Sequence, residues 1–254
     1  RFPDHAVLGE EFGECLPTSG SASHCWVFDP IDGTVNYAHG LPIFCASLAL
    51  EINGTAVIAA QSVKFLEESH EEPFVLWVSF PDPHEPYEVP RRYAEMFPPE
   101  SIELPPWPKD EFDESAPERN RVLKRMLDIS HDSEADVRGA ISTYYAMTRF
   151  VDDGVGQILD ALDRLNLTDN TIVVFTADHG DFMGEHGMIV KGGVFYDSLT
   201  RVPLIISYPA EVPSNEVDPS MVNTIDIIPT LLQLQGIDTP SEMQGQPLPT
   251  LTDT

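Results

Sequence analysis

Cysteine is scarce in this chain of 254 residues, and the three cysteines all lie near its beginning, at Cys15, Cys25 and Cys45. An odd and sparse count argues against a disulfide framework and for a reducing compartment. We therefore expect a cytoplasmic protein. The hydrophobic content of 42% nevertheless supports a real core, in one large or two small domains.

Long apolar runs and basic residues are scarce as well. No apolar run approaches the roughly 18 residues that a membrane-spanning helix needs. The chain begins with Arg1 and its first residues are unlike a signal peptide, so we expect a fragment or a trimmed product. Only 14 basic side chains stand against 42 acidic ones, a net charge of -28. Because such a surface repels nucleic acid and anionic membranes, we expect neither as a partner.

The most informative stretch is 171–191. It opens with an apolar, β-branched run at 171–175, which predicts a buried strand of a parallel sheet. Asp178 and His179 follow at the carboxyl end of that strand, where open α/β sheets bind their ligands. A carboxylate and an imidazole can share one divalent ion, and Lys191 would bring a cation to an anionic ester. From spacing alone, an ordinary strand exit with solvated acids remains the alternative.

The segment 178–191, with 195–197 and 201–205, closely resembles the sulfatase family of the alkaline-phosphatase superfamily. The resemblance implies that Asp178 and His179 bind Ca²⁺, Mn²⁺ or Mg²⁺, and that Lys191 contacts the sulfate or phosphate group. It also implies an α/β fold, a three-layer alkaline-phosphatase-like sheet with helices on both faces, here incomplete. His after Asp resembles the branch with phosphonate monoester hydrolases, which leaves the substrate class open.

A second predicted site element lies upstream. Residues 73–80 predict another buried strand, and the proline-rich loop 81–87 stands at its end. Because proline fixes the backbone, His84 can be held there at little further entropy cost. Loop histidines often have no catalytic role, but the P-x-P-H-x-P-Y context is one that sulfatases use. By that resemblance, His84 hydrogen-bonds the ester oxygen of the substrate or acts as a general acid.

The first 62 residues carry a different pattern. Asp29 and Asp32 flank a proline turn after a short predicted strand, and with Glu10 brought near they could bind Mg²⁺ through oxygens alone. Aspartate, proline and glycine are also the usual turn residues, so the spacing alone leaves a plain turn open.

The run 29–37, with Gly-Glu-Glu at 9–11 upstream, resembles the inositol monophosphatase family. The resemblance implies a set of Mg²⁺ ligands and a group that orients the attacking water. The ligands would be Glu10, Asp29, Asp32 and the Ile31 carbonyl, and Thr34 would orient the water.

Three local patterns predict further elements. The Asn-Gly pair at 53–54 predicts a hairpin turn that leads to a strand over 56–60. Ser133, with Asp136 three residues on, predicts the N-cap of a long helix. The proline-rich, acidic stretch 88–120 predicts irregular surface structure.

Two truncated genes joined without a linker are the simplest account of these patterns. Residues 1–62 are predicted to be a small α+β fragment of the inositol-monophosphatase type, and 63–254 an incomplete sulfatase-like domain. The sulfatase nucleophile motif, C/S-x-P-S-R, is absent from 63–254, and the partial match at 15–19 lacks the arginine. We therefore expect a metal-dependent hydrolase of small sulfate, phosphate or phosphonate esters with little or no turnover. A Mg²⁺-dependent phosphomonoesterase of the inositol monophosphatase type and an inactive fusion fragment are the alternatives.

Overall fold

The fold is given by a computed structural model. It describes residues 5–9, 13–15, 24–32, 45–52, 55–71, 73–106, 110–130 and 132–248. For the described strand residues up to residue 56 it gives the backbone and not the side chains.

The described residues form nine strands and six α-helices. The strands are β1 (His5–Gly9), β2 (Gly13–Cys15), β3 (His24–Asp32), β4 (Cys45–Ile52), β5 (Thr55–Ala56), β6 (Val173–Thr176), β7 (Phe182–Met183), β8 (Ile189–Val190) and β9 (Leu204–Ser207). The helices are α1 (Ile58–Ser69), α2 (Arg91–Ala94), α3 (Glu118–Leu127), α4 (Glu134–Arg164), α5 (Asp197–Thr200) and α6 (Ile227–Leu234).

The chain divides into two compact units. The first comprises Arg1–Pro105 and Ser130–Leu165, and the second comprises Pro106–Ile129 and Asn166–Thr254. The predicted division at 62 and 63 concerns family resemblance rather than compactness, and it stays a prediction. Within the described ranges, no helix is both long enough and apolar enough to cross a bilayer. The cytoplasmic location expected from the cysteine count also stays a prediction.

The first unit contains a five-stranded sheet in the order β2-β1-β3-β4-β5. β1 pairs in parallel with β3, and the other neighbours are antiparallel. Ile52 pairs with Thr55 in the antiparallel sense, which confirms the predicted hairpin, whereas the turn residues 53–54 themselves lie outside the described residues.

β3 differs from the predicted strand and proline turn. It runs through His24–Asp32 with a register shift, because Asp29 pairs with Ser47 and Asp32 with Cys45. Three steps along β3 therefore oppose two steps along β4, which is a β-bulge. Since alternate positions of a strand share a face, the extra residue returns positions 29 and 32 to the same face of the sheet.

The strand predicted over 56–60 is wrong, because β5 ends at Ala56 and α1 begins at Ile58. Ala59, Ser62 and Leu66 are buried at helical spacing and form one face of α1. A short apolar run is compatible with a strand or a helix, and here the packing of this face against α4 favours the helix. Gly154 of α4 permits the close approach, since a Cβ there would lie 3.3 Å from that of Ala59.

The long helix predicted from Ser133 is confirmed as α4. The Ser133 side chain accepts a hydrogen bond from the Asp136 backbone N–H at 3.2 Å, which caps one of the free donors at the helix start. α1 and α2 both pack against α4. The Tyr93 hydroxyl of α2 donates to Asp153 Oδ2 at 3.0 Å, so this helix acid has a structural partner.

The buried strand predicted over 73–80 is wrong. The segment has no strand pairing among the described residues, and its side chains alternate between partly buried and exposed. Val75 is 93% exposed and Trp77 is 69% exposed. The alternation is that of extended backbone with one covered face, and a strand also requires a hydrogen-bonded neighbour.

The second unit contains two small sheets, β6 with β9 and β7 with β8. β6 pairs with β9 in the antiparallel sense, so the expectation of a parallel, fully buried strand is wrong for this pair. Phe175 and Ile205 are register partners, and both are exposed. The core of this unit lies around Phe182 and Met188, which are fully buried beside Val194 and Leu199.

Candidate metal and anion site

Asp178 and His179 lie on the loop that follows β6. Asp178 Oδ2 stands 3.5 Å from His179 Nε2, and Asp178 Oδ1 accepts a hydrogen bond from the His179 backbone N–H at 2.8 Å. The Asp178 side chain is 86% exposed and that of His179 is 40% exposed. They are two of the four predicted site residues whose side chains are described, and the structure brings these two into contact.

The imidazole of His179 is oriented by its neighbour. His179 Nδ1 lies 3.0 Å from the Gly180 carbonyl oxygen. A carbonyl only accepts, so this hydrogen bond places a proton on Nδ1 and leaves Nε2, which lies 3.5 Å from Asp178 Oδ2, as the nitrogen available to a metal. Metal-binding histidines characteristically make this second hydrogen bond, which fixes both the tautomer and the ring orientation.

Gly180 holds the loop against α5. Its N–H donates to the Leu199 carbonyl at 2.9 Å. A Cβ at position 180 would lie 2.0 Å from the Ser198 carbonyl oxygen, so only glycine permits this close approach of the two backbones. The position of the His179 ring therefore depends on a backbone contact that tolerates no side chain.

The geometry of this pair fits one divalent ion. Two ligand atoms about 2.1 to 2.5 Å from a shared ion lie roughly 3.0 to 3.5 Å apart when they subtend a right angle. The 3.5 Å between Asp178 Oδ2 and His179 Nε2 reaches the upper end of that range. Among the described residues no group of three or more histidine, cysteine, aspartate or glutamate side chains is placed to hold a metal. The pair therefore offers two donor atoms to such an ion, and its role as metal ligands stays a prediction.

Lys191 follows β8 at the end of a loop with unusual backbone geometry. Its side chain is partly buried and its Nζ is shielded from solvent. Val190, immediately before it, has φ of 60°, and His186 has φ of 56°. The left-handed region is unfavourable for a β-branched residue and costs about 1–3 kcal/mol, so it persists only where the surroundings hold it.

The segment 106–129 supplies those surroundings through side chains. Glu111 Oε2 lies 2.7 Å from His186 Nδ1, and the His186 ring packs against Tyr196 with centroids 4.3 Å apart. Asn120 Nδ2 donates to the Tyr196 hydroxyl at 3.1 Å. Burial raises the pKa of the Tyr196 hydroxyl, and the carboxylate of Glu111 raises this pKa further, against the hydrogen bond from Asn120.

The same segment also holds the loop backbone at Gly187. Lys124 Nζ donates to the Gly187 carbonyl at 2.6 Å and to Asp128 Oδ1 at 2.7 Å. The Ile129 backbone N–H donates to the same carbonyl at 3.1 Å. Asp128 and Met188 form an isolated antiparallel bridge. The segment 110–129 therefore holds the loop 184–190 both through the His186 side chain and through the backbone at Gly187 and Met188.

These contacts were not predicted from the sequence, because the proline-rich, acidic stretch 88–120 predicted irregular surface structure. α3 begins inside that region and carries both Asn120 and Lys124. Two signals could have found it: Glu118 in the first helical turn after a proline, and the apolar residues 122, 123, 126 and 127 at helical spacing.

His84 lies in the first unit, on the proline-rich loop. Its backbone N–H donates to the Pro81 carbonyl at 3.0 Å, and its Nδ1 lies 2.7 Å from the Glu85 carbonyl oxygen. The side chain is 54% exposed. The backbone hydrogen bond closes a turn at His84, and the role of His84 at the ester oxygen stays a prediction.

The predicted Mg²⁺ site near the beginning of the chain stays untested. Asp29, Ile31 and Asp32 lie in β3, where the structure describes the backbone and not the side chains. Glu10 and Thr34 lie outside the described residues.

Comparison with known proteins identifies the family. Residues 44–237 match the sulfatase family, so this chain belongs to that family. Residues 1–62 match the inositol monophosphatase family. Both predicted resemblances are thereby confirmed, with the two matched ranges overlapping at 44–62.

The sequence alignments with two curated relatives extend over most of this chain. The chain is 33% identical over 191 residues to the uncharacterized sulfatase YidJ of Escherichia coli strain K12, covering 74% of this chain and 37% of that protein. It is 31% identical to the choline-sulfatase of Rhizobium meliloti strain 1021, covering 67% of this chain and 33% of the relative. The chain thus spans about a third of the length of these curated relatives.

Superposition on a solved structure identifies the fold of this chain. The phosphonate monoester hydrolase of Agrobacterium radiobacter superposes with a TM-score of 0.65 at 28% identity, covering 77% of this chain and 41% of that structure. The predicted fold class, an α/β fold of the alkaline-phosphatase type, is confirmed.

Proposed function

We propose that this chain carries the metal-binding and anion-binding part of a hydrolase that acts on sulfate esters or on phosphate and phosphonate monoesters. The observation that carries the proposal is the Asp178–His179 pair, with two ligand atoms 3.5 Å apart and the second imidazole nitrogen held by a carbonyl. Members of both matched families are generally dependent on divalent metal ions. The relatives named above include a choline-sulfatase and a phosphonate monoester hydrolase.

Each residue has a distinct part in this proposal. Asp178 and His179 would hold Ca²⁺, Mn²⁺ or Mg²⁺, and the bound ion would supply Lewis-acid stabilisation of the ester's negative charge. The Lys191 ammonium would bind one anionic oxygen of the sulfate or phosphate group.

Turnover by this chain alone is proposed to be low or absent. The family's nucleophile motif, C/S-x-P-S-R, does not occur in its 254 residues, and 63–254 contain no cysteine. An activated nucleophile is needed for covalent catalysis, whereas metal and anion binding do not require one. Binding is therefore the property to measure.

The test is titration calorimetry with inorganic sulfate, phosphate and methylphosphonate, in the presence of Mn²⁺. Lys191→Ala should weaken anion binding about tenfold or more, because a charge-assisted hydrogen bond contributes roughly 1.5–3 kcal/mol. Lys64→Ala is the matched control, since Lys64 is 65% exposed on α1. Equal affinities in the two variants would contradict the role of Lys191, and rapid hydrolysis of an aryl sulfate would contradict the proposed lack of turnover.

A Mg²⁺-dependent phosphomonoesterase is a second candidate function. It is supported by the match of residues 1–62 and by the bulge that returns positions 29 and 32 to one face. Phosphate release from an inositol phosphate should then disappear in Asp32→Asn. Release that persists in this variant would count against it, and a chain that binds neither metal nor anion would be the inactive fusion fragment.

A further inference from the structure

We propose that Glu111, His186 and Tyr196 form a positioning cluster, which fixes the loop 184–190 and thereby sets where the Lys191 ammonium stands. This inference rests on the proposed function in one respect, that Lys191 is the contact of the anionic group. The three residues lie on two separate stretches of the second unit and meet at one place beside the core.

The backbone of the loop requires an external restraint. His186 and Val190 both take left-handed backbone angles, and Gly184 and Gly187 take them too, with φ of 100° and 66°. Glycine adopts this region freely, whereas a β-branched residue such as Val190 does not. A loop with this conformation relaxes unless neighbouring groups hold it, and Lys191 is the next residue after the strained position.

His186 is the point at which a side chain can provide that restraint. It is itself one of the left-handed residues, so fixing its ring fixes an unfavourable backbone angle. Its Nδ1 pairs with Glu111 Oε2 at 2.7 Å, and the two side chains are only 29% and 23% exposed. Tyr196 covers one side of the ring at 4.3 Å, and Phe182 meets it edge-on at 6.0 Å. A histidine held by a carboxylate and by two aromatic rings has little rotational freedom.

Lys124 provides an independent restraint one residue further on, through the Gly187 carbonyl. Loss of the Glu111 contact should therefore loosen the loop without unfolding the unit. The expected consequence is local, since the core residues Met188 and Leu199 keep their own packing. Local opening of this kind is measurable as increased access to a group that is shielded in the native state.

The experiment is amine labelling of the full chain under native conditions, with acetylation of each lysine followed by mass spectrometry. Lys191 Nζ is shielded from solvent, whereas Lys64 is 65% exposed and serves as an internal reference. Glu111→Ala should raise the labelling rate of Lys191 relative to Lys64 about tenfold, as expected for loss of one hydrogen bond to a charged group.

Two further variants separate positioning from a general loss of structure. Glu111→Gln keeps an oxygen that accepts from Nδ1–H, so it should restore most of the protection of Lys191. Glu114→Ala removes the same charge from an exposed position of the same segment and should leave labelling unchanged. Unaltered Lys191 labelling in Glu111→Ala, or equal acceleration at Lys64, would overturn the proposal.

Phosphate binding in the presence of Mn²⁺ separates this inference from the function on which it rests. Glu111→Ala should weaken phosphate binding about tenfold while Mn²⁺ binding is retained, because the cluster acts through Lys191 and not through the metal ligands. Unchanged phosphate affinity in Glu111→Ala, together with weakened binding in Lys191→Ala, would overturn the positioning role. A different result separates the two proposals. If Glu111→Ala speeds the labelling of Lys191 but Lys191→Ala leaves phosphate affinity unchanged, the positioning cluster is upheld and the anion-binding role of Lys191 is overturned.

Discussion

Replacement of Gly180 by alanine should destabilise the second unit and disturb the candidate metal site together. A Cβ at this position would stand 2.0 Å from the Ser198 carbonyl oxygen and 3.1 Å from the Ser198 carbonyl carbon. Both neighbours are backbone atoms, which cannot rotate away as the end of a side chain can. The loop and α5 must therefore separate, and the hydrogen bond from the Gly180 N–H to the Leu199 carbonyl must lengthen or break.

The size of the effect follows from these two losses. Overpacking of a close contact costs about 1–3 kcal/mol, and a backbone hydrogen bond contributes about 1 kcal/mol. The free energy of unfolding should thus fall by about 2–4 kcal/mol. For a protein of this size that corresponds to a decrease in Tm of about 4–16 °C. Because His179 Nδ1 bonds to the Gly180 carbonyl, Mn²⁺ affinity should fall as well.

The assay is thermal and urea unfolding followed by circular dichroism, with a second glycine as the control. Gly156 lies inside α4, and a Cβ there would meet nothing within 4 Å. The same chemical change, Gly156→Ala, should therefore stabilise the protein by about 0.5–1 kcal/mol, since alanine is the better helix former. If both variants shift stability in the same direction, the close contact inferred at Gly180 is refuted.

Two further predictions concern helix capping and alkaline pH. Ser133→Ala should lower the free energy of unfolding by about 1 kcal/mol because the Asp136 N–H loses its acceptor. Ser133→Asn should not, since its amide can accept from that N–H and donate to the Asp136 carboxylate as the serine hydroxyl does. Equal urea midpoints for the two variants would contradict the cap. The pKa of Tyr196 is raised above its ordinary value of 10.0 in the folded chain. The unfolded chain then loses this proton first, so the contribution of Tyr196 to stability is present below pH 10 and declines as pH rises through the folded pKa. Tyr196→Phe should remove that part of the decline between pH 9 and 11, measured by urea unfolding, and an identical decline in both proteins would contradict the prediction.

Local signals predicted some elements well. Ser133 and Asp136 marked the start of α4 at the observed residue, because an N-cap is decided by neighbours within one turn. The Asn-Gly pair at 53–54 marked the hairpin for the same reason. Asp178 and His179 were predicted as a pair, and their proximity follows from adjacency in the chain.

Other features depend on residues far apart in sequence, and these were missed. The segment 56–60 read as a strand, but α1 forms there because Ala59 and Leu66 pack on a helix some ninety residues later. The apolar run 73–80 read as a strand, yet among the described residues it has no pairing partner. Glu111 and His186 are separated by 75 positions, and only the fold reveals that they meet.

The proposed metal site is tested most directly by a single titration, in which Mn²⁺ binding to the intact chain is measured by calorimetry. We expect one bound ion, with affinity reduced at least tenfold in Asp178→Ala and in His179→Ala, because each change removes a ligand from the same ion. Asp160→Ala, at an exposed position of α4, should bind as the unaltered chain does. Equal affinity in all four proteins would contradict the claim that this carboxylate and this imidazole share a metal.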